Sequence, residues 1–93
     1  MLFHITSRAA WQHAVATGVY DPRDGETFIH LSTEAQWPAT RERFFTGIED
    51  LVLLVIDPER LVEEVRWESA HDEVFPHLYG VLEIGAVVEV REL

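Results

Sequence analysis

Phe28-Ile29-His30-Leu31-Ser32-Thr33 is the stretch on which the predicted fold depends. Alternate side chains of an extended strand lie on the same face, so Phe28, His30 and Ser32 are predicted to share one face. The aliphatic residues between them point the other way and suit a hydrophobic core. Imidazole and hydroxyl groups that leave water need hydrogen-bond partners, so the polar face is a candidate site.

Two further stretches carry the same mixture of histidine and aromatic residues. Phe75-Pro76-His77-Leu78-Tyr79-Gly80 lies far along the chain, and His4 lies in the first predicted strand, Leu2 to Ile5. Since each histidine has apolar strand neighbours, we expect His4, His30 and His77 to meet at one cleft.

The first helix is defined by its two ends. Thr6 or Ser7 can cap its first turn, and Gly18 is a typical C-terminal stop. Trp11 and the neighbouring residues Ala10, Ala14 and Val15 have helical spacing, which predicts that the Trp11 ring anchors the helix in the core.

The second helix follows the capping-box pattern Thr33–Gln36. It is predicted to run to Phe45 and to bury Trp37 and Phe44. Pro38 would then remove a hydrogen bond inside the first turn, so we expect a bend there. The alternative is a helix that begins near Trp37.

The remaining segments predict strands. Leu51–Ile56 is apolar on both faces, as in a covered central strand. Short strands follow at 65–68, at 75–79, where Pro76 favours an edge or a strand start, and at 86–91. Asp24-Gly25 predicts a tight reversal before the opening stretch. The fold class is therefore α+β: one domain over residues 1–93, with two N-terminal helices on a mixed, mostly antiparallel sheet.

Composition narrows the function classes. The 93 residues suffice for one core, and 17 acidic residues against 7 arginines give a net charge of −10, so nucleic acid is not an expected partner. The chain contains neither lysine nor cysteine, which excludes Schiff-base and thiolate chemistry. The sequence has no apolar run of membrane-spanning length and no signal-like start, so a cytoplasmic location is expected and a membrane is not. The oligomeric state stays open.

Each candidate site residue has an ordinary structural interpretation beside the functional one. A single histidine is most often a hydrogen-bonded structural residue, whereas three together can hold a ribose hydroxyl or relay a proton. Glu68 follows Trp67 and can act as a general acid or base if the ring desolvates it, or lie at the surface. Tyr79 can stack on a flat ligand or pack. A divalent-metal site is a weaker alternative, because no paired ligand spacing is present.

The residues quoted above, together with Gly18-Val19-Tyr20 and Trp67-Glu68, resemble the family catalogued as domain of unknown function 952. The resemblance covers nearly the whole chain in order. One departure is that Glu26 and Thr27 separate Asp24-Gly25 from Phe28, where the family usually runs Asp-Gly-Phe-Ile-His.

That family is distantly similar to the ADP-ribosyltransferase superfamily, which implies an ADP-ribosyltransferase-like fold and NAD as a cofactor. By that resemblance His4, with Thr6, would hold a ribose, and Ser32 and His30 would border the nicotinamide. Arg8, just after His4, can pair with a phosphate and locally offset the negative charge of the chain. His77 stands where an acid is expected, so Glu68 is the candidate for assisting bond ionisation. The alternatives are a non-catalytic module that binds a small ligand or a protein, or the metal site.

Overall fold

The computed structural model describes residues 1–23 and 25–93. Its helices are α1 (Arg8–Thr17) and α2 (Trp37–Phe45), with single 3₁₀ turns at Pro58–Arg60 and Ile84–Ala86. The strands within these ranges are β1 (Leu2–Ser7), β2 (Val19–Tyr20), β3 (Ile29–His30), β4 (Leu51–Ile56), β5 (Glu64–Ala70), β6 (Glu73–Tyr79), β7 (Leu82–Glu83) and β8 (Val87–Glu92).

Strand β4 forms the centre of the core. All six of its residues are buried, and it pairs antiparallel with β1 on one side and β8 on the other. A strand flanked by neighbours and covered on both faces has no position for a polar side chain. The prediction of a covered central strand is confirmed.

The strands β3, β6 and β5 form a second sheet in that order, and β2 pairs with β7. A bridge between Phe3 of β1 and Ser32, just after β3, joins the two larger sheets along one edge of each. Their backbones exchange two hydrogen bonds of 2.8 Å. Every pairing described is antiparallel, so the predicted α+β class with two helices is confirmed.

The two helices cover opposite faces of β4. One cluster of buried residues includes Val52, Leu54 and Ile56, with Ala10 and Trp11 of α1 packed against it. The other includes Leu51, Leu53 and Val55, with Trp37 and Phe45 of α2. The alternation of side chains along β4 thus divides the core into an α1 side and an α2 side.

Helix α1 ends where the sequence predicts. The Ala10 N–H donates to Ser7 Oγ at 3.0 Å, and Gly18 adopts a φ of 86° while its N–H donates to the Ala14 carbonyl at 2.7 Å. Trp11 is partly buried against the core, while Ala14 is the buried residue of the helix.

Helix α2 ends at Phe45 as predicted but departs from the prediction at its start and in its inward-facing aromatic residue. It begins at Trp37 with Pro38 in its first turn, where no intrahelical N–H is needed, so the expected bend is wrong and the later start is right. The Gln36 side chain still accepts from the Thr33 N–H at 3.0 Å. Phe44 is 51% exposed, and Phe45 packs instead against the buried cluster that includes Leu53 of β4.

The β5–β6 hairpin also corrects the sequence-based view. His71 and Asp72 both have positive φ, which makes the connection between the strands predicted at 65–68 and 75–79 a two-residue turn. Pro76 lies in β6, between β3 and β5, and not at an edge. Its carbonyl accepts from the Leu31 N–H at 3.1 Å, so the ladder there uses the one backbone group that proline keeps.

The predicted reversal at Asp24-Gly25 depends on Asp24, which lies outside the described residues. In those residues, no helix is both long enough and apolar enough to cross a membrane.

Candidate functional site

One face of the β3–β6–β5 sheet carries the polar side chains. His30 lies opposite His77, and His77 lies opposite Arg66, so their side chains share this face. Glu68 is two residues after Arg66 on β5, so its side chain lies on the same face, diagonally next to His77. Short strands joined by a tight hairpin therefore place residues that are distant in sequence beside one another.

His77 is the centre of this face and is 4% exposed. The Phe28 ring stacks on its imidazole with centroids 4.0 Å apart and an interplanar angle of 15°. His77 Nδ1 lies 2.9 Å from Glu68 Oε1, and the Tyr79 hydroxyl donates to the same oxygen at 2.5 Å. The imidazole is thereby held in one orientation.

Hydrogen bonding controls the charge on Glu68. The hydroxyl of Tyr79, and then His77, stabilise the carboxylate and hold the pKa of Glu68 below its usual value. The same contact raises the pKa of Tyr79. Glu68 is therefore ionised near neutral pH and accepts two hydrogen bonds, which places the proton of neutral His77 on Nδ1.

The second ring nitrogen of His77 is accessible. Nε2 has no partner in the described part of the chain, and within that part no side-chain nitrogen or oxygen is both fully buried and unpaired. Nε2 must therefore reach open space, and the space that His77 lines is a groove of about 330 Å³.

The groove collects four histidines and a predominantly apolar wall. Its lining, in the described residues, holds no carboxylate and no guanidinium; it consists of Phe3, His4, Ile5, His30, Leu31, Ser32, Thr40, Phe44, Phe45, Ala70, His71, Phe75 and His77. The structure thus brings His4, His30, His77 and Ser32 to one hollow beside the junction of β1 and β3. The Ser32 hydroxyl is buried and lies 3.5 Å from the Thr40 hydroxyl.

His4 has a structural role within that lining. Its Nδ1–H donates to the His30 carbonyl at 2.7 Å, and its Nε2 accepts from the Tyr20 hydroxyl at 2.8 Å. Burial, with repulsion from His30, lowers the pKa of His4 to about 4, while burial raises the pKa of Tyr20 to about 12. With both nitrogens engaged, neutral His4 has none left for a ligand.

His30 is exposed and bonds outward. Its Nε2 lies 2.8 Å from a carboxylate oxygen of Glu26, and its ring meets His77 edge to face at 5.5 Å. His30 therefore borders the groove without being enclosed by it.

Glu68 and three other predicted site residues lie outside the lining. Arg8 is held by Asp50, at 2.8 Å, and by Glu92, and these two carboxylates raise its pKa. Thr6 is buried in β1. The Tyr79 ring is covered by the guanidinium of Arg66 at 4.2 Å, so this face cannot stack on a ligand.

Sequence reasoning missed two residues at the mouth of the groove. Phe44 and His71 are exposed and face each other with ring centroids 5.3 Å apart, connecting α2 to the β5–β6 turn. The only signal for them in the sequence is the pair of adjacent aromatic residues Phe44-Phe45. Because adjacent side chains of a helix point in different directions, one of the two rings lies outside the core. Within 1–23 and 25–93, no group of three or more His, Asp or Glu is arranged to hold a metal ion.

Replacing Glu68 with glutamine tests the proposed charge state. We expect Glu68→Gln to lower the pKa of Tyr79, because the negative charge that opposes its ionisation is removed. Absorbance at alkaline pH measures this, and Tyr20, the other tyrosine, serves as an internal reference. Glu89→Gln on β8 is the matched control, and an equal Tyr79 titration in both variants would contradict the assignment.

A family model described as a protein of unknown function (DUF952) matches residues 5–90. Among solved structures, the crystal structure of protein CC0527 from Caulobacter crescentus is similar to the chain, with 38% sequence identity and a TM-score of 0.88. That match covers 99% of this chain and 84% of CC0527. No curated protein matches the chain significantly.

Two further structures of CC0527 agree. The crystal structure of a doubly substituted variant has 36% identity and a TM-score of 0.88, covering 99% of this chain and 84% of the variant. The solution NMR structure has 36% identity and a TM-score of 0.83, covering 99% and 83% of the two chains. The likeness therefore extends over nearly the whole chain in both sequence and fold.

Proposed function

Since the chain belongs to the DUF952 family of proteins of unknown function, we propose from its site that it binds a small, flat, uncharged ligand in the groove and exchanges a proton with it at His77 Nε2. The observation that carries this proposal is the asymmetry of the His77 ring. One nitrogen is bound to an ionised carboxylate, and the other, unpaired in the described part of the chain, belongs to a ring that lines an apolar hollow.

This arrangement suits general acid–base chemistry. A carboxylate that accepts from Nδ1–H fixes the tautomer, leaves the lone pair on Nε2 and stabilises the imidazolium that forms when Nε2 takes a proton. Glu68 therefore positions His77, while His77 is the group that would contact the ligand. Tyr79 keeps the carboxylate in place through its hydrogen bond.

The groove indicates the kind of ligand. Its volume lies at the lower end of the range of small-molecule sites, which is roughly 300–1,000 Å³. Aromatic and aliphatic side chains make up most of the wall, so a planar ring would replace water there at low cost. An anion would find no guanidinium among the described lining residues.

A whole dinucleotide such as NAD fits this proposal less well than its uncharged fragments. The diphosphate needs cations, and the arginine expected from the sequence to pair with a phosphate, Arg8, is paired with Asp50 and Glu92. His4 has no free nitrogen for a ribose hydroxyl. We therefore propose a single heterocycle of nicotinamide size, and an ADP-ribosyl transfer activity is not part of the proposal.

The test is a titration followed by the NMR signals of the histidine rings. Nicotinamide, indole, adenosine and NAD serve as probes, at up to about 10 mM since a ligand of this size binds weakly. We expect nicotinamide or indole to shift the His77 ring signals, and His77→Gln to weaken that binding about tenfold.

His13→Gln is the matched control, because His13 is exposed on α1 and is absent from the groove lining. It should bind the probe as the unaltered chain does. Absence of any shift at His77 with every probe would overturn the proposal, as would binding of NAD alone.

A further inference from the structure

Strand β5 is an unpaired edge of the sheet. In the described residues it pairs with β6 alone, through seven consecutive positions without a bulge. Such a long regular edge presents a row of free backbone donors and acceptors. The opposite edge, β8, is interrupted by an irregularity at Val55/Ile56 of its partner strand β4.

The ladder fixes which groups of β5 are free. The Pro76 carbonyl bonds towards β3, so the alternate residues of β6 at 75, 77 and 79 direct their backbone groups to β5. Their partners at 64, 66 and 68 direct theirs to β6. The outward groups therefore belong to Val65, Trp67 and Ser69.

The middle residue of this edge is a large exposed aromatic. Trp67 is 56% exposed, and Val74, close to it on the same face of the hairpin, is 50% exposed. Exposed tryptophan is enriched at the centre of protein interfaces, where it contributes much of the binding energy.

Charge complementarity indicates what covers the edge. In an antiparallel pair of two β5 strands centred on Trp67, Arg66 of each copy lies opposite Glu68 of the other. These positions form a non-hydrogen-bonded pair, in which facing side chains are closest. Centring the pair on Arg66 or on Glu68 instead would oppose two like charges. Centring it on Val65 would also oppose unlike charges, but it would place Trp67 opposite Glu63. The register centred on Trp67 is therefore the one that opposes unlike charges and also brings the two tryptophans together.

We propose that a second copy of this chain pairs with β5 about Trp67 and forms a two-fold symmetric dimer with a continuous sheet. The interface is isologous, with Trp67 facing Trp67 of the second copy and two cross-strand ion pairs beside it. Each copy also brings a guanidinium to the carboxylate that holds His77 of the other. The proposal does not depend on the ligand.

Sedimentation equilibrium of the full chain tests it, at concentrations from about 5 to 500 μM, a range that covers weak dimers. The unaltered chain is expected to be dimeric at the upper end. Trp67→Lys should give monomers throughout, because a lysine on an edge strand opposes pairing. Val90→Lys, which adds the same charge at an exposed valine of β8, should remain dimeric.

Arg66→Glu tests the register. It replaces two attractive cross-strand pairs by two repulsive ones and should weaken the dimer at least tenfold. Arg41→Glu on α2 is the matched control for the change in net charge and should weaken it much less. A chain that is monomeric throughout would overturn the proposal. The proposal would also be overturned if Val90→Lys lost the dimer and Trp67→Lys did not. Equal weakening of the dimer by Arg66→Glu and Arg41→Glu would overturn it as well.

Discussion

Acidification from pH 7 to pH 4 is expected to destabilise the folded chain by about 3 kcal/mol through His4 alone. The ring is enclosed between the His30 carbonyl and the Tyr20 hydroxyl, and burial lowers its pKa from 6.5 to about 4. A proton on Nε2 would also break the bond that this nitrogen accepts from Tyr20. The neutral form is therefore strongly preferred in the folded state.

The direction of this change in folding stability follows from proton uptake. Between its folded and unfolded pKa values His4 is neutral when folded and protonated when unfolded, so the unfolded state binds more protons there. The stabilisation is fully present above pH 6.5 and is lost as the pH falls towards 4. Glu68 and Glu92, whose pKa values are lowered, add their losses at lower pH, as they become protonated.

Urea unfolding between pH 7.5 and pH 4 measures the loss, and NMR titration of the ring measures the pKa of His4 in the folded chain. His13→Gln is the control: exposed His13 should leave the slope of stability against pH unchanged. A folded-state His4 that titrates near 6.5 would contradict this explanation.

Local chemistry made part of the fold predictable. Ser7 and Gly18 end α1 through bonds within one helical turn, and β4 needs only its own six apolar residues to indicate burial on both faces. Such signals are contained in a few consecutive residues, so the sequence displays them directly.

The predictions that are wrong concern residues whose environment is set by a segment distant in sequence. Pro76 is tolerated in the middle of a sheet because Leu31, far away in sequence, uses only its carbonyl. The inward ring of α2 is Phe45, which packs on the cluster that includes Leu53 of β4, although either ring satisfies the helical period. Periodicity cannot choose between two adjacent aromatic residues.

The candidate site shows the same division. The histidines were singled out by their apolar neighbours, and the structure places His4, His30 and His77 at one groove. Their different roles depend on partners that no local pattern reveals: Tyr20 occupies His4, whereas Glu68 orients His77 and leaves its second nitrogen accessible. A residue type predicts possible chemistry, and only the hydrogen-bond partners assign it.

The division of the core by β4 allows the groove to be altered without a comparable change elsewhere. Leu53 and Ile56 are both fully buried, but they point to opposite faces of the sheet. Leu53 lies opposite Ile5 on the α2 side, and Ile5 and Phe45 of that cluster line the groove. Ile56 lies opposite Leu2 on the α1 side, away from the lining.

Leu53→Ala and Ile56→Ala are each expected to lower the free energy of unfolding by about 3 kcal/mol, because each leaves a cavity in a packed core. Only Leu53→Ala should also move the NMR signals of His77 and Phe45, since the cavity forms directly beneath the groove wall. Urea unfolding and the ring spectra distinguish the two effects. If Ile56→Ala disturbed the groove signals as much as Leu53→Ala, the two sides of the core would be mechanically coupled, and the groove would depend on the whole fold and not on the α2 side alone.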